Sequence, residues 1–261
     1  MVAFRVGSRS RSAETPFADG PPRSRELRGT GASFGCCIVG ATTLGVALTT
    51  SGGESLERDT DISFPTTLMP TPFTLLLAPV ALADAQEPAR TIMQDTQTRL
   101  GMVPNMYAGL ANAPLLLQTY VEGYDRFRSE SRFTPAEQEV VFLSISRENG
   151  CDFCVAAHSY IADRKSKVPR AVTDAIRDGA VVPDAQLAAL HQFTTELVRT
   201  RGRPSEASAA QFLAVGYSTV QILYLLLAIS TKTISNYSNR LLETPLDAMF
   251  ASRAYNRDPQ A

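Results

Sequence analysis

Histidine and cysteine are scarce in this sequence, with two of the first and four of the second among 261 residues. His158 and His191 are the only imidazoles, which all but excludes multi-histidine metal sites. The cysteines fall in two sequence pairs, Cys36 with Cys37 and Cys151 with Cys154. Four cysteines in a chain this long do not make a secreted disulfide framework. An excess of positive charge is also lacking: 25 basic against 26 acidic residues give a net charge of -1. Nothing global therefore drives nonspecific binding to nucleic acid, and no nucleic-acid partner is expected. The composition, 44% hydrophobic and 20% charged, is that of an ordinary globular chain. Collagen-like and wholly disordered readings are out, and the length allows one or two domains with a sizeable core.

Residues 1–68 read differently from the rest. Six arginines (Arg5, Arg9, Arg11, Arg23, Arg25 and Arg28) and no lysine stand among Ser, Gly and Pro in the first 30 residues. No helical or strand period survives there, so a disordered leader is the default expectation. Gly29 to Gly53 is a charge-free run of 25 residues, long enough to span a bilayer. Seven glycines and five threonines make it only weakly apolar. An arginine-rich start before an apolar run also fits an export signal or anchor, and that alternative stays open. A second uncharged run, Ile62 to Ala83, ends Ala81-Leu82-Ala83 like a small-residue cleavage site. It has no basic region close before it, and Pro65, Pro70, Pro72 and Pro79 interrupt it. The plainer reading is a flexible leader, or a start placed too early with Met69 as the true one.

From about residue 85 the pattern is helix after helix. Ile92, Met93, Thr96 and Leu100 have helical spacing, and Gly101 ends that segment. Ala113-Pro114 opens a second helix. Thr134-Pro135-Ala136-Glu137 combines a cap, a proline suited to the first helical position and a capping-box carboxylate. That helix is expected to stop at Gly150, and another to run from Cys151 to about Lys165. Further helices are predicted from Val168-Pro169, from Pro183-Asp184, from Ser205, from Ser218 to about Leu242, and after Pro245. The apolar run Ile222 to Ile229 suits a buried core helix, being too short for a membrane span. No strand-like alternation of useful length appears, so the class is all-α.

The stretch with chemistry in it runs from Glu139 through Cys151 and Cys154 to His158. Placed at the start of a helix, cysteines three apart share one face. The helix N-terminus favours thiolate over thiol, and the thiolate is the nucleophile. His158 lies one turn beyond Cys154 on the same face, where an imidazole can take or hold a proton. Glu139 lies 11 residues before Gly150, roughly 16 Å along the axis, and His158 about 10 Å beyond Cys151. If the two helices turn back on each other, Glu139 reaches His158 directly or through a water. A carboxylate there orients the imidazole and raises its basicity.

Plainer readings stand beside this one. A lone C-x-x-C is often half of a zinc site, but no second C-x-x-C or H-x-H supplies the other ligands. A thioredoxin-like motif needs a βαβ setting, and the flanks here are helical. Free cysteines are also common core residues. His191, mid-helix with nothing reactive nearby in sequence, reads as structural. Arg147, Glu148 and Asp152 read as solvated or capping groups, and Cys36 and Cys37 carry no assigned role. Phe142, Phe153 and Val155 are either an apolar pocket or simply core.

Glu139 followed by Cys151-x-x-Cys154-x-x-x-His158, between Thr134-Pro135-Ala136-Glu137 and Asn149-Gly150, resembles the AhpD-like alkylhydroperoxidases of the carboxymuconolactone decarboxylase superfamily. Leu-Gly-Met-Val-Pro-Asn-Met at residues 100–106 is similar to the start of its peroxidase-related members. The similarity covers about residues 70 to 255. It implies an AhpD-like helical bundle over residues 69–261, with the C-x-x-C at a helix N-terminus, in a homo-oligomer such as a dimer, trimer or hexamer. Carried over by position, it makes Cys154 the peroxidatic cysteine, Cys151 the resolving cysteine and contact for the reductant, and His158 with Glu139 the proton relay. The best-studied members have a second histidine inside the C-x-x-C, where this chain has Phe153, so the relay is shorter. The decarboxylase branch generally lacks the cysteine pair, which argues against lactone decarboxylation.

The resulting expectation is a thiol-dependent peroxidase that reduces a hydroperoxide and is itself reduced by a dithiol protein or small thiol. It needs no metal, haem or flavin cofactor. A general dithiol–disulfide oxidoreductase, a redox-sensing oligomer and, more remotely, a decarboxylase-like enzyme are the alternatives. A free C-x-x-C with no other paired cysteines fits the reducing cytoplasm better than export.

Overall fold

The structure, a computed structural model, describes residues 72–256. The predicted leader, its two apolar runs up to residue 71, and Cys36 and Cys37 lie outside the described residues. Among the described residues there are nine α-helices and no strands: α1 (Ala89–Leu100), α2 (Asn105–Leu110), α3 (Pro114–Glu130), α4 (Pro135–Glu148), α5 (Asp152–Ile161), α6 (Arg170–Asp178), α7 (Ala185–Arg199), α8 (Glu206–Ala214) and α9 (Thr219–Leu241). The all-α expectation holds.

Helix α4 starts where the sequence indicated. Thr134 Oγ1 accepts the Glu137 N–H at 3.3 Å, and Glu137 Oε2 accepts the Thr134 N–H at 2.7 Å. Pro135 occupies the first turn, where its missing N–H costs nothing. Every residue from Gln138 to Ser146 is buried, because α4 packs against α5, α6, α7 and α9 at once. Polar side chains on such a helix must find partners inside the protein. Gln138 Nε2 donates to the carbonyls of Arg128 and Phe133, and the Ser146 hydroxyl to the Phe142 carbonyl. Gly150 then takes a left-handed φ of 66°, and α5 begins at once with Cys151 as its N-cap.

Helix α9 departs from expectation. The run Ile222 to Ile229 buries Leu225 and Ala228, but Leu223 is 65% exposed, and Val220 and Leu226 are exposed as well. A continuous apolar run carries no periodic stripe, so it cannot say which face points inward. Farther along, Thr231, Lys232, Ser235, Asn236 and Asn239 are all buried. Helix α3 comes close to this part of α9 at Gly123, where a Cβ would stand 2.6 Å from Thr231 Oγ1. Two other segments also differ. The helix after Cys151 breaks at Ile161 into a π turn over Ala162–Ser166, and the segment after Pro245 forms a 3-10 turn at Ala248–Arg253.

The largest apolar core joins α3, α4, α6, α7, α8 and α9 around Phe127, Phe142, Phe193 and Phe212. A second gathers Met93, Met106, Leu110, Leu117 and Tyr120 from α1 to α3, with Phe153 at its border. No single helix among the described residues is long and apolar enough to cross a membrane.

Candidate functional site

Cys151 and Cys154 are free thiols, 1% and 2% exposed. As N-cap of α5, Cys151 accepts the Cys154 N–H on its sulfur at 3.4 Å. From α9, Asn239 Nδ2 donates to Cys154 Sγ at 3.2 Å. The two thiols are thereby made unequal. Burial pushes Cys154 up, but its hydrogen bond with Cys151, the Lys232 charge and the Asn239 and Asn236 amides outweigh that and lower it to about 6. The hydrogen bond with Cys154 and burial push Cys151 the other way, well above the ordinary thiol range.

The α4–α5 turn folds the chain back as the axial distances suggested. His158 Nδ1 and Glu139 Oε2 are 2.9 Å apart in direct contact, with both side chains buried. Three of the site's polar groups were not legible as such in the sequence. Arg128 of α3 forms an ion pair with Glu139 Oε1, and its guanidinium also donates to the Tyr124 hydroxyl at 2.7 Å. Lys232 of α9, 1% exposed, places Nζ 2.8 Å from His158 Nε2. Asn239 reaches Cys154 as described.

An ammonium has donors only, so His158 Nε2 accepts from Lys232 and Nδ1–H donates to Glu139. The result is a continuous buried chain, Arg128–Glu139–His158–Lys232. Burial and the Lys232 charge lower His158 to about 4, so its imidazole is neutral at pH 7. Burial raises Glu139, but the Arg128 charge and the His158 hydrogen bond overcome it and hold the carboxyl below its ordinary range. The second His158 nitrogen, the one not facing Glu139, is thus occupied by Lys232. Phe142 braces the assembly: its ring lies 5.0 Å from the His158 ring and 4.7 Å from the Arg128 guanidinium carbon.

Phe142 and Val155 are core residues, whereas Phe153 is partly exposed and packs edge-on against Phe250. His191 meets Ser144 Oγ at 2.8 Å. Glu148 pairs with Arg199 at 2.8 Å, Arg147 Nε donates to the Arg177 carbonyl, and Asp152 sits in the first turn of α5. Among the described residues no three His, Cys, Asp or Glu side chains gather into a metal site.

One signal existed for the α9 residues. Leu225, Lys232 and Asn239 repeat every seven residues, two turns of helix, so Lys232 and Asn239 continue the buried stripe that Leu225 begins.

Residues 114–195 match the carboxymuconolactone decarboxylase family. No curated protein matches the sequence. Among solved structures, the chain is similar to an alkylhydroperoxidase AhpD core, an uncharacterized peroxidase-related protein from Ralstonia eutropha JMP134. That pair shares 21% identity and a TM-score of 0.60 over 67% of this chain and 93% of the other. An uncharacterized peroxidase-related protein from Silicibacter sp. TM1040 aligns with 20% identity and a TM-score of 0.59, over 72% and 98%. The debrominase Bmp8, solved in complex with 2,3,4-tribromopyrrole, aligns with 15% identity and a TM-score of 0.57, over 69% and 96%.

Proposed function

We propose that the chain is a thiol-dependent peroxidase working through Cys151 and Cys154, a reading supported by the match of residues 114–195 to the carboxymuconolactone decarboxylase family and by the AhpD-like fold. The observation that carries this reading is the unequal thiol pair. Asn239 Nδ2 donates to Cys154 Sγ and, with the Cys151 hydrogen bond and the Lys232 charge, lowers Cys154, whereas its bond with Cys154 and burial raise Cys151. A peroxidase cycle needs that division: one sulfur to attack, the other to condense.

In the cycle, the Cys154 thiolate attacks the terminal oxygen of the hydroperoxide, and the O–O bond breaks. Cys154 becomes a sulfenic acid and the alkoxide leaves, taking up a proton. The Cys151 thiol attacks the Cys154 sulfur, a disulfide forms, and hydroxide leaves with the thiol proton as water. An external dithiol then reduces the disulfide by exchange. Glu139 and Arg128 keep His158 oriented, and His158 keeps Lys232 turned into the site. No metal, haem or flavin enters any step.

Burial weighs between a small oxidant and a protein disulfide. With the two residues 1% and 2% exposed, a small hydroperoxide needs a narrower opening than a protein disulfide does. A protein disulfide has to bring far more bulk to the same buried sulfurs. Reduction of Cys151 carries that requirement once per cycle.

The test is stopped-flow mixing of fully reduced protein with excess tert-butyl hydroperoxide, with mass spectrometry on the Cys151–Cys154 peptide. Rapid intramolecular disulfide formation is expected in the wild type. Cys154→Ser abolishes peroxide consumption with an unchanged far-UV spectrum. Thiols that stay reduced for minutes would remove peroxide chemistry and leave disulfide exchange or a structural role.

A further inference from the structure

The proposed cycle leaves two needs unassigned. Something must orient the hydroperoxide against Cys154, and something must give the departing alkoxide its proton. An alkoxide is a strong base and a poor leaving group, so a positioned acid there matters. His158 is not arranged to be that acid, because its one N–H points at Glu139 and its other nitrogen accepts from Lys232.

The inward stripe of α9 has a group suited to each need. Asn239 donates through Nδ2 to Cys154 Sγ at 3.2 Å. The oxygen of the same amide, Oδ1, is buried and has no hydrogen-bond partner among the described residues. A buried acceptor left unmatched costs about 1–3 kcal/mol, so it calls for a reason. Its position on the amide that holds the nucleophile supplies one. A hydroperoxide attacked by Cys154 presents its O–H beside the sulfur, within the reach of that amide. Lys232 is equally unusual, an amine 1% exposed whose Nζ meets an imidazole nitrogen. An ammonium carries three donors, and His158 uses one of them.

Resting on the peroxidase reading above, we infer that Asn239 and Lys232 are catalytic residues that bind the hydroperoxide itself: Asn239 Oδ1 accepts the hydroperoxide O–H, and Lys232 Nζ protonates the leaving alkoxide. The electrons and protons balance. The thiolate lone pair forms the S–O bond, and the O–O pair leaves on the alkoxide oxygen. The hydroxyl hydrogen stays on the new sulfenic acid, still facing Asn239 Oδ1. Lys232 gives one proton to the alkoxide and becomes a neutral amine hydrogen-bonded to His158. It regains a proton from solvent, and the cycle returns one when the external dithiol reduces the disulfide and Cys154 ionises again. The Lys232 charge also supports the thiolate beforehand, in agreement with its lowering effect on both thiols.

Two oxidants separate acid catalysis at the leaving group from support of the thiolate. tert-Butyl hydroperoxide expels an alkoxide that needs a proton, whereas peracetic acid expels acetate, which does not. Reduced wild type, Lys232→Met and Lys232→Arg are mixed with each oxidant under single-turnover conditions at pH 9. Iodoacetamide alkylation at the same pH reports the intact thiolate. In Lys232→Met the tert-butyl hydroperoxide rate is expected to fall about a hundredfold or more relative to the peracetic acid rate, the usual scale of general acid catalysis. Lys232→Arg keeps the charge but is a far weaker acid, so it shows the same selective loss and carries the test if the Met variant does not fold. Asn239→Asp, which keeps an acceptor and loses the donor, is expected to slow both oxidants and the alkylation together. Equal losses with both oxidants in the Lys232 variants would overturn the inference and reduce Lys232 to a support for the thiolate. A wild type that alkylates readily yet ignores both oxidants would instead overturn the peroxidase reading itself.

Discussion

Helices α4 and α9 both supply polar groups to the buried cluster around His158, and they do so from opposite circumstances. Helix α4 is buried on every side, and its carboxylate, Glu139, stands in an apolar stretch of Val140, Val141 and Phe142. Helix α9 turns part of its most apolar run outward and buries Lys232, Asn236 and Asn239 farther along. The difference separates two kinds of polar burial. On α4 the charge is matched on both oxygens, by Arg128 and by His158, and reads as a fixed support. On α9 the groups are only partly matched, with spare ammonium donors and an unpartnered amide oxygen. Full satisfaction makes a scaffold, and partial satisfaction leaves capacity for a substrate.

The sharpest way to break that contrast is to remove each charge in turn. Glu139→Leu leaves Arg128 and His158 facing an apolar side chain, and losing one member of a buried pair costs about 3–5 kcal/mol. Lys232→Met keeps much of the volume and leaves only the His158 Nε2 acceptor unmet, at about 1–3 kcal/mol. Urea unfolding of the two variants compares them directly. A Lys232→Met loss equal to or above that of Glu139→Leu would make α9 as much a scaffold as α4.

A smaller effect concerns ionisation. Iodoacetamide alkylation of Cys154 is expected to rise with pH through a midpoint of about 6, since the lowered thiol ionises there. Asn239→Leu removes a hydrogen bond to the charged form, which favours the protonated thiol and moves the midpoint upward. A hydrogen bond to a charged group contributes about 1.5 kcal/mol or more, equivalent to a shift of about one pH unit. A midpoint that stays in place would assign the low thiol to the Lys232 charge, Cys151 and Asn236.

The smallest effect tests the two helix starts. Both α4 and α9 begin with a capping box, Thr134 with Glu137 and Ser218 with Gln221. Thr134→Ala and Ser218→Ala are each expected to cost about 1 kcal/mol in urea midpoint. Unequal losses would show that the two starts are held by different means.

Legibility in the sequence followed locality. The α4 cap, the glycine turn at Gly150, the shared face of Cys151 and Cys154 and the approach of Glu139 to His158 all lie within about 25 residues, where helical geometry allows projection. Arg128 is near in sequence too, but α3 and α4 are separate elements, and no period relates their faces. Lys232 and Asn239 lie more than 70 residues beyond His158. Their seven-residue spacing from Leu225 showed a shared face, but the exposed apolar residues nearby hid which face was inward. The run Ile222 to Ile229 was read as buried for the same reason: hydrophobicity without periodicity carries no direction.

The sequence by itself determined the all-α class, the boundaries of the helix before the cysteines, the proximity of Cys151 to Cys154 and the approach of Glu139 to His158. Those follow from capping chemistry and from the 3.6-residue turn, which act over a few residues and need no other part of the chain. Only the tertiary structure decided which sulfur is the acidic one, which nitrogen of His158 is occupied, and where a substrate would find a proton. Those depend on charges and amides carried in by α3 and α9. Their effect on the site scales with distance and burial, and a linear chain specifies neither until its helices have packed.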